Sequence, residues 1–408
     1  MNTAERTARG LRRVPAMPAE TSSLEPEKKR RRIKYNIFTI GAGMDMPLFF
    51  LILILLAIGL VMLFSASYAY CYFYFGNSYF FIQRQAMFAI AGVVVMLLVS
   101  TFDYHHFHKF AWPLFGVAVL LLLMVLAFKD TAIVQPKNGA YRWINLGFVE
   151  FQPSEIAKFS MILVFAHMIS QRVPKMGTFK EGFLPFAGVL CVFAGLVIAE
   201  KHMSATIIIA LIGLIMMFIG GVKVRYFIII FGLGVAGVLY LLFMSGDYGH
   251  SLDRITDWLD PFSSSAWQTC QSLYAIGSGQ LLGLGLGQSR QKYLYLPEPH
   301  NDFIFAIVCE ELGFVGALII ILLFGLLIWR GIYVSLRAKD KFGTMLGLGI
   351  TFQIGIQIVL NICVVTNTVP NTGISLPFFS YGGTALLILL FEMGVLLQIS
   401  RSANIVKT

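Results

Sequence analysis

The chain has 408 residues, of which 57% are hydrophobic and only 13% are charged, and its formal net charge is +10. Soluble domains carry about 25% charged residues, so this composition excludes an ordinary soluble enzyme and indicates a protein that lies in lipid.

Residues 1–44 are predicted to form a disordered, basic, cytoplasmic tail, because they are rich in Ala, Pro, Glu and Arg and lack apolar periodicity. The basic run from Lys28 to Arg32 is compatible with nucleic-acid binding. Its place shortly before the first apolar run favours an anchor that sets membrane orientation, so no nucleic-acid partner is expected. No cleavable signal is apparent, since the first apolar run is a full-length span far from the N-terminus.

Ten apolar runs follow, and each is long enough for a membrane-spanning helix of roughly 20 residues. Lipid leaves an open backbone no other way to satisfy its hydrogen bonds, so the sequence predicts an all-α, polytopic membrane domain over 45–400 and a short tail over 401–408. The predicted spans are 47–67, 84–101, 111–128, 153–170, 183–199, 203–221, 225–244, 303–329, 343–366 and 377–399.

Lys and Arg concentrate in alternate connections. With a cytoplasmic N-terminus, 22 of the 31 Lys and Arg residues fall on the cytoplasmic side. The positive-inside rule therefore predicts that both termini are cytoplasmic, in contact with anionic membrane lipid. The long connections 129–152 and 245–302 then lie outside, and because long loops are usually functional, the working surface is predicted there.

The first long connection ends in a candidate anion site. The interfacial segment 138–147 contains Arg142 and Trp143, and it leads into a predicted helix that carries Ser154, Glu155 and Lys158. Glu155 and Lys158 share a helix face. A lysine beside a helix N-terminus favours a bound anion such as phosphate. The alternative is a Glu155–Lys158 pair that neutralises itself.

The second long connection ends in a glycine-rich segment, 277–287. It has no surrounding βαβ unit, so it predicts a short re-entrant or surface helix rather than a dinucleotide site. Arg290 and Lys292 follow, and Lys292 is expected to be solvated. Four acidic residues earlier in the loop are either solvated or capping groups, or they hold a divalent cation against a phosphate. These residues are Asp247, Asp253, Asp257 and Asp260.

Asp302 closes this connection, directly before an apolar run. A carboxylate at a membrane boundary is costly unless it has a function. Deeper polar residues are predicted to hydrogen-bond inside the bundle, with a proton or substrate pathway as the alternative. These are Glu310, Glu311, Gln353, Gln357, Asn361 and Glu392.

Two further sets of residues remain secondary. The cluster His105–His108 lies in a short inner connection without metal-ligand spacing, and it is expected to be solvated. Cys71 and Cys270 both fall outside in the predicted topology, and the sequence leaves open whether they pair.

Six stretches resemble the SEDS family of bacterial membrane proteins, which serve cell shape, elongation, division and sporulation. They are 59–67, 142–143, 152–158, 296–305, 310–313 and 376–383, in family order. The wording of 371–384 is closer to the division and sporulation branches than to the elongation branch. The chain departs from the family at 199–206: family members often have Gln-Pro-Asp-Leu-Gly-Thr there, and this chain does not. A role for that turn is therefore in doubt. It departs again at Asn301, where Thr is commoner, and this change leaves Asp302 intact.

The resemblance implies a peptidoglycan glycosyltransferase that polymerises lipid II into glycan strands at the outer face during division, with inversion. It implies Asp302 as the general base, and Lys158 and Arg142 as clamps for the diphosphate. Trp143 either holds a sugar or lipid face or anchors the interface. The other predicted binding residues are Ser154, Glu155, Arg290 and His300. Two alternatives stay open: a lipid II flippase, and a non-catalytic scaffold of the division complex.

No cofactor is implied with certainty, and a divalent cation, Mg²⁺ or Mn²⁺, at the diphosphate is left open. The implied partners are lipid II, a class B penicillin-binding protein that supplies the transpeptidase, other divisome membrane proteins and membrane lipid. The implied location is the bacterial plasma membrane at the division septum.

Overall fold

The computed structural model describes residues 43–131, 133–135, 141–145, 147, 150–229, 232, 249–263 and 265–403. The predicted tail over 1–44 lies almost entirely outside the described residues. Most of the predicted span 225–244 also lies outside them, as do Asp247 and residues 404–408.

Nearly all regular secondary structure in the described part of the chain is helical. Its helices are α1 (Met46–Phe75), α2 (Phe80–Val99), α3 (Phe107–Ala127), α4 (Pro153–Arg172), α5 (Leu184–Ala199), α6 (Met203–Gly220), α7 (Gly249–Leu259), α8 (Trp267–Gly279), α9 (Ile304–Leu336), α10 (Lys341–Val365) and α11 (Gly383–Ser402). Short helical turns cover Tyr104–His106, Val173–Lys175 and Phe179–Phe183. Strands β1 (Ile144–Asn145) and β2 (Glu150–Phe151) pair antiparallel, with Ile144 opposite Phe151.

Among the described residues, nine helices are long and apolar enough to cross a membrane, namely all except α7 and α8. They overlap nine of the ten predicted spans, which confirms an all-α polytopic membrane protein. Helix α4 is the least apolar of the nine and the most buried. Its polar side chains therefore face other helices rather than lipid, and this places them inside the bundle.

The start of the last span differs from the prediction. Helix α11 begins at Gly383, not at 377, because residues 376–382 form a buried loop. Side chains satisfy the open backbone of this loop: the N–H of Leu376 donates to Ser380 Oγ at 2.8 Å, and the N–H of Gly382 donates to Gln85 Oε1 at 3.2 Å. Such compensation is what a non-helical segment at membrane depth requires.

One end of the bundle, here called the Asp45 end, carries the connections α2–α3, α4–α5 and α9–α10. The carboxylate of Asp45 accepts from Arg330 at 2.7 Å, and Arg401 donates to Ser100 Oγ at 3.3 Å. The connections α3–α4, α5–α6, α8–α9 and α10–α11 lie at the other end, here called the Asp302 end. Successive spanning helices alternate in direction, so these two sets of connections are separated by the length of a span.

The predicted solvation of the histidine cluster is wrong. His105 Nδ1 lies 2.6 Å from Asp103 Oδ1, and His108 Nδ1 lies 2.7 Å from His167 Nδ1. All three histidines of the cluster are partly buried, because the start of α3 packs against α4. The cysteine question is also resolved: Cys71 and Cys270 are free, and both are buried.

Candidate functional site

Asp302 lies two residues before the first residue of α9, and it is partly buried. Asn361 Nδ2 donates to the main-chain oxygen of Asp302 at 2.7 Å and to that of Ile374 at 2.6 Å. One amide therefore joins the Asp302 segment to the α10–α11 connection. The Asp302 carboxylate faces Gly373, where a Cβ atom would lie 3.0 Å from Oδ2 and the φ of 68° is left-handed. Glycine is needed there to admit the carboxylate.

The surroundings of Asp302 suit a base that works near neutral pH. Burial and, to a smaller extent, the charge of Glu298 raise the pKa of Asp302 to about 6, against the opposing charge of Arg142. Glu298 itself accepts from Asn301 Nδ2 at 3.0 Å. A general base is most effective when its pKa lies near the working pH, so this carboxylate is ionised at pH 7 and still able to take a proton.

Arg142 lies in the α3–α4 connection and turns toward the bundle. Its Nη2 donates to the main-chain oxygen of Lys201 at 3.3 Å. Its Nε is buried and has no hydrogen-bond partner among the described residues. Burial and the nearby Arg254 lower the pKa of Arg142, while Asp302 and Glu200 support its charge. A buried guanidinium with an unused donor is suited to bind an anion.

The α5–α6 turn, whose role the sequence left in doubt, lies at this site. The Glu200 side chain is buried, and neither carboxylate oxygen has a hydrogen-bond partner among the described residues. Burial raises the pKa of Glu200 to about 8, against the opposing charges of Lys129 and Arg142. The signal available in the sequence was an acid, a lysine and a histidine in one short connection, on the side of the two long loops.

His202, in the same turn, lies between the two predicted clamps. Its buried ring lies 3.4 Å from Ser154 Oγ. Burial lowers the pKa of His202 well below its ordinary value, and the charges of Arg142 and Lys158 lower it further. A neutral imidazole there donates and accepts hydrogen bonds without adding charge. His202 is thus a site residue that sequence reasoning missed.

Lys158 is buried, and its Nζ lies 2.9 Å from Glu155 Oε1. The intrahelical pair weighed as the alternative is therefore formed, and whether an anion joins it stays a prediction.

Gln353 Nε2 donates to both oxygens of Glu392, at 3.0 and 2.8 Å, which confirms their interior hydrogen bonding. A cleft lies between these groups. Its lining includes Glu155, Gln353, Gln357, Ser375, Tyr381 and Glu392.

The structure brings Arg142, Ser154, Glu155 and Lys158 to the same side of the bundle as Asp302, and Trp143 follows Arg142 there, partly buried. The Arg290 side chain is exposed, and the charges that shift the pKa of Asp302 are those of Glu298 and Arg142 rather than that of Arg290.

His300 does not open toward the cleft. Its ring packs 4.8 Å from that of Tyr70 and 4.5 Å from that of Phe81, measured between centroids, and burial lowers its pKa to about 4.

Lys292 is the clearest correction among the charged residues. It was expected in solvent, but only 2% of it is exposed, and its ammonium pairs with Glu311. Within the described residues, no group of three or more His, Cys, Asp and Glu side chains is arranged to hold a metal ion. Asp257, in the last turn of α7, accepts from Ser265 Oγ at 2.6 Å.

The geometry defines a polytopic membrane protein that has, at one end of its helices, a partly buried carboxylate and a guanidinium whose Nε lacks a partner among the described residues. A polar cleft reaches between the helices. The profile of the FtsW/RodA/SpoVE family, described as cell cycle proteins, matches residues 46–405. The chain belongs to this family.

Named relatives agree with that assignment. Stage V sporulation protein E of Bacillus subtilis (strain 168) is 39% identical over 80% of this chain and 88% of its own length. A probable peptidoglycan glycosyltransferase FtsW of Geobacter sp. (strain M18) is 39% identical over 79% of this chain and 88% of its own length. The predicted resemblance to the division and sporulation branches is confirmed by these names.

Solved structures share the fold. A chain from a structure concerned with the coordination of polymerization and crosslinking by a peptidoglycan synthase complex aligns with a TM-score of 0.72 and 25% identity, over 88% of this chain and 98% of that one. The rod shape determining protein RodA of Thermus thermophilus aligns with a TM-score of 0.65 and 25% identity, with the same coverage.

Proposed function

We propose that this chain is a peptidoglycan glycosyltransferase that polymerises lipid II into glycan strands at the extracytoplasmic face of the bacterial plasma membrane, during cell division. The observation that carries the proposal is the Asp302 carboxylate, which has Arg142 as its cationic neighbour. The preceding residue, Asn301, accepts from Ser380, which lines the cleft between the helices. Relatives named peptidoglycan glycosyltransferase support the same reaction.

The reaction needs little from the protein beyond a base and a cation. The sugar hydroxyl of the acceptor attacks the anomeric carbon of the donor, and a carbon–oxygen bond forms on the face opposite the diphosphate. The bond from the anomeric carbon to the diphosphate oxygen breaks, and undecaprenyl diphosphate leaves with the electron pair. Asp302 takes the hydroxyl proton, and the anomeric centre inverts. A positioned base contributes typically about 10²–10⁴-fold to such a step.

Arg142 is the better of the two proposed clamps. The buried Nε of Arg142 lacks a partner among the described residues, whereas the charge of Lys158 is already neutralised by Glu155 at 2.9 Å. A diphosphate therefore gains more from Arg142, where a preorganised donor meets the charge that develops on the leaving group. The inner cleft, which carries amides and carboxylates, is better suited to the hydroxyl and amide groups of the sugars.

The number of carboxylates beside Arg142 would suit a divalent cation. Mg²⁺ typically uses one or two carboxylates together with substrate phosphates and water, and Asp302 and Glu298 are the two carboxylates that interact there. Bound, the ion would neutralise diphosphate charge. Polymerisation measured with and without added Mg²⁺ and Mn²⁺, after chelation, tests this expectation.

The proposed orientation places the Asp302 end outside and both termini inside. The charge bias of the sequence supports it, since 22 of the 31 Lys and Arg residues then lie in the cytoplasm or at its membrane surface. A cysteine introduced at the exposed position Ser265 should react in intact cells with a thiol reagent that cannot cross the membrane. Reaction only after lysis would refute the orientation and the outer site together.

The proposed partner is a class B penicillin-binding protein, with other divisome membrane proteins at the septum. The support is the similar chain found in a structure that coordinates polymerization and crosslinking. New glycan strands need crosslinks, which a transpeptidase partner would supply.

The deciding experiment uses purified protein with its transpeptidase partner and fluorescent lipid II. Wild-type protein should extend lipid II into strands that muramidase digests, and Asp302→Asn protein should not. A second candidate, lipid II transport, draws on the buried polar groups Gln353 and Glu392 inside the helices. In sealed vesicles, transport would move labelled lipid II between leaflets at equal rates in wild-type and Asp302→Asn protein, without strand formation.

A further inference from the structure

A second group of buried charges lies where the glycine-rich segment meets α9. Glu310, Glu311 and Lys292 are each at most 2% exposed. Buried charges of this kind are costly unless each is paired and hydrogen-bonded. The proposed reaction uses none of the three, so their role has to be read from what they hold together.

Helix α9 is broken at Gly313, whose φ of 67° and ψ of −171° are not helical. The break frees the carbonyls of Glu310 and Glu311, and these accept from the N–H groups of Leu284 and Gly285, each at 3.0 Å. The N–H groups freed on the other side of the break, at positions 314 and 315, donate to the carbonyls at 280 and 281, at 2.9 and 3.1 Å. The glycine-rich segment thus replaces the missing turn of the helix.

The side chains complete this junction. Lys292 Nζ lies 2.9 Å from Glu311 Oε1, 2.6 Å from the carbonyl of Gly287 and 3.2 Å from Ser65 Oγ. An ammonium has three donors, so all of them are used. Glu311 also accepts from the Ser65 hydroxyl at 2.7 Å and from the N–H of Gly287 at 3.0 Å. Helix α1, the glycine-rich segment and α9 meet at this one ion pair.

The ion pair closes a loop that contains Asp302. Lys292 and Glu311 are 19 positions apart, and Asp302 lies between them. On its other side the loop is fastened by Asn361 to the main chain of Asp302, at 2.7 Å, and by Ser380 Oγ to the carbonyl of Asn301, also at 2.7 Å. The Asp302 segment is therefore held between the Lys292–Glu311 pair and the α10–α11 connection.

We propose that Lys292 is a positioning residue: by pairing with Glu311 it closes the loop on α9 and fixes where the Asp302 carboxylate stands relative to Arg142. The inference rests on the proposed function, in which Asp302 is the base. Lys292 does not bind the substrate diphosphate, because no donor of its ammonium is left for an anion. A misplacement of about 1 Å at a reacting group lowers rates by about 10²-fold, so a loosened loop reduces kcat.

The test compares three variants in lipid nanodiscs with the transpeptidase partner present. Lys292→Met leaves the Glu311 carboxylate buried and uncompensated. Lys292→Met/Glu311→Gln removes both charges and so relieves that penalty. Lys175→Met is the matched control, since Lys175 pairs with Glu181 at 2.6 Å in an exposed ion pair at the Asp45 end. For each protein, kcat and KM for lipid II, the pH profile of kcat and the thermal midpoint are measured.

Lys292→Met should lower kcat by roughly tenfold or more with KM within about twofold, and should shift the acid limb of the pH profile, because the Asp302 carboxylate moves relative to Arg142. The double variant should regain the wild-type thermal midpoint while its kcat stays roughly three- to tenfold low. A restored thermal midpoint with a lowered kcat separates a positioning role from a folding role. If Lys292→Met protein does not accumulate, the double variant alone tests the proposal. Lys175→Met should match wild type.

Wild-type kcat and pH profile in the double variant would overturn the proposal, and so would a raised KM at unchanged kcat, which would make Lys292 a substrate ligand. Asp302→Asn protein in the same assay separates this failure from a failure of the proposed function. If Asp302→Asn is inactive while the Lys292 variants behave as wild type, only the positioning role is lost. If Asp302→Asn still polymerises, the assigned base is wrong.

Discussion

The Lys292–Glu311 junction and the Asp302 site both bury charge, but they differ in how completely their polar atoms are paired. Every donor of the Lys292 ammonium has an acceptor within 3.2 Å. At the Asp302 site, by contrast, Arg142 Nε and both oxygens of Glu200 are buried without hydrogen-bond partners among the described residues. Leaving a buried polar group unsatisfied costs about 1–3 kcal/mol, and more when the group is charged.

This difference indicates that the junction has a structural role and that the Asp302 site has a catalytic one. A network that satisfies its own members gains nothing from a ligand and fixes a backbone, as the junction does at the break in α9. A group of unsatisfied charges is poorly stabilised until something binds, and such sites are where perturbed pKa values collect. The contrast predicts that substitutions at the junction act first on folding, whereas substitutions at the Asp302 site act first on turnover.

The largest expected effect comes from Asp302→Asn. The substitution keeps the side-chain shape and the main-chain bond from Asn361, and it removes the base. We expect kcat to fall by at least about 10²-fold with the thermal midpoint unchanged or raised. Glu311→Gln should act mainly on stability, because it leaves Lys292 buried without its ion-pair partner, which costs about 3–5 kcal/mol. It should lower kcat only by roughly tenfold, since it also loosens the loop that positions Asp302. Polymerisation assays and thermal unfolding of both proteins, side by side, check the contrast.

The contrast would break if the two substitutions had the same signature. An Asp302→Asn protein that unfolds early would assign this carboxylate to the fold. An Asp302→Asn protein with near wild-type turnover would move the base elsewhere, with Glu298 as the first candidate because its charge acts on Asp302.

Arg142→Gln should have the next largest effect. A hydrogen bond to a charged group is worth about 1.5–3 kcal/mol, so loss of the clamp should lower kcat/KM by roughly 10- to 100-fold. Arg290→Gln is the matched control, since the Arg290 side chain is exposed and exposed charges contribute about 0–1 kcal/mol. Steady-state kinetics with lipid II measure both. Equal losses would contradict the assignment of Arg142 as the diphosphate clamp.

The sequence predicted the helices well, because length and hydropathy decide whether a segment spans a membrane, and both are local properties. It failed at the 376–382 loop, where an apolar run stays non-helical because Gln85 and Ser380 satisfy its backbone. Gln85 lies 297 positions from the group that it satisfies, and no local pattern reveals such a pairing.

The site was predicted in part, for a similar reason. Asp302, Arg142 and Lys158 lie in stretches that resemble the family, and the structure places them on one side of the bundle. Lys292 was expected in solvent, because nothing near it in the sequence shows that it meets Glu311 and Ser65. Ser65 lies 227 positions away. Lys292 therefore cannot serve as the exposed reference for Lys158, and Lys175 is suited to that comparison. Glu200 and His202 were missed because their turn departs from the family wording. Their position beside Arg142 depends on the fold, which the local sequence does not show.

A smaller effect is expected from Glu298→Gln, and it appears in the pH profile rather than in the maximal rate. The pKa of Asp302 is raised to about 6 by burial and by Glu298. Asp302 acts as a base when ionised, so turnover should be present above that pKa and should be lost as the pH falls through about 6. Removing the negative charge of Glu298 lowers the pKa of Asp302, and the acid limb should move to lower pH.

The measurement is the rate at saturating lipid II between pH 5 and 8 for wild-type and Glu298→Gln protein. Arg142→Gln should move the same limb to higher pH, because the Arg142 charge opposes the upward shift of the Asp302 pKa. Shifts in one direction for both variants would be incompatible with direct electrostatic action on Asp302.

The smallest expected effect belongs to Glu200→Gln, and it is confined to alkaline pH. Burial raises the pKa of Glu200 to about 8, so the side chain is neutral through most of the physiological range and becomes anionic as the pH rises above about 8. The positive groups that act on Glu200 are Lys129 and Arg142, and Lys201 and the neutral His202 share its turn.

An anionic Glu200 competes with the substrate diphosphate for Arg142, so KM for lipid II should rise above pH 8 in the wild type. In Glu200→Gln protein KM should stay flat over the same range, with kcat unchanged at pH 7. In a protein that also carries Arg142→Gln, the glutamate should no longer matter, because the cation for which it competes is gone. A KM that rises equally with and without Glu200 would place the alkaline titration on another group, and the unsatisfied carboxylate would then belong to the support of the fold rather than to its chemistry.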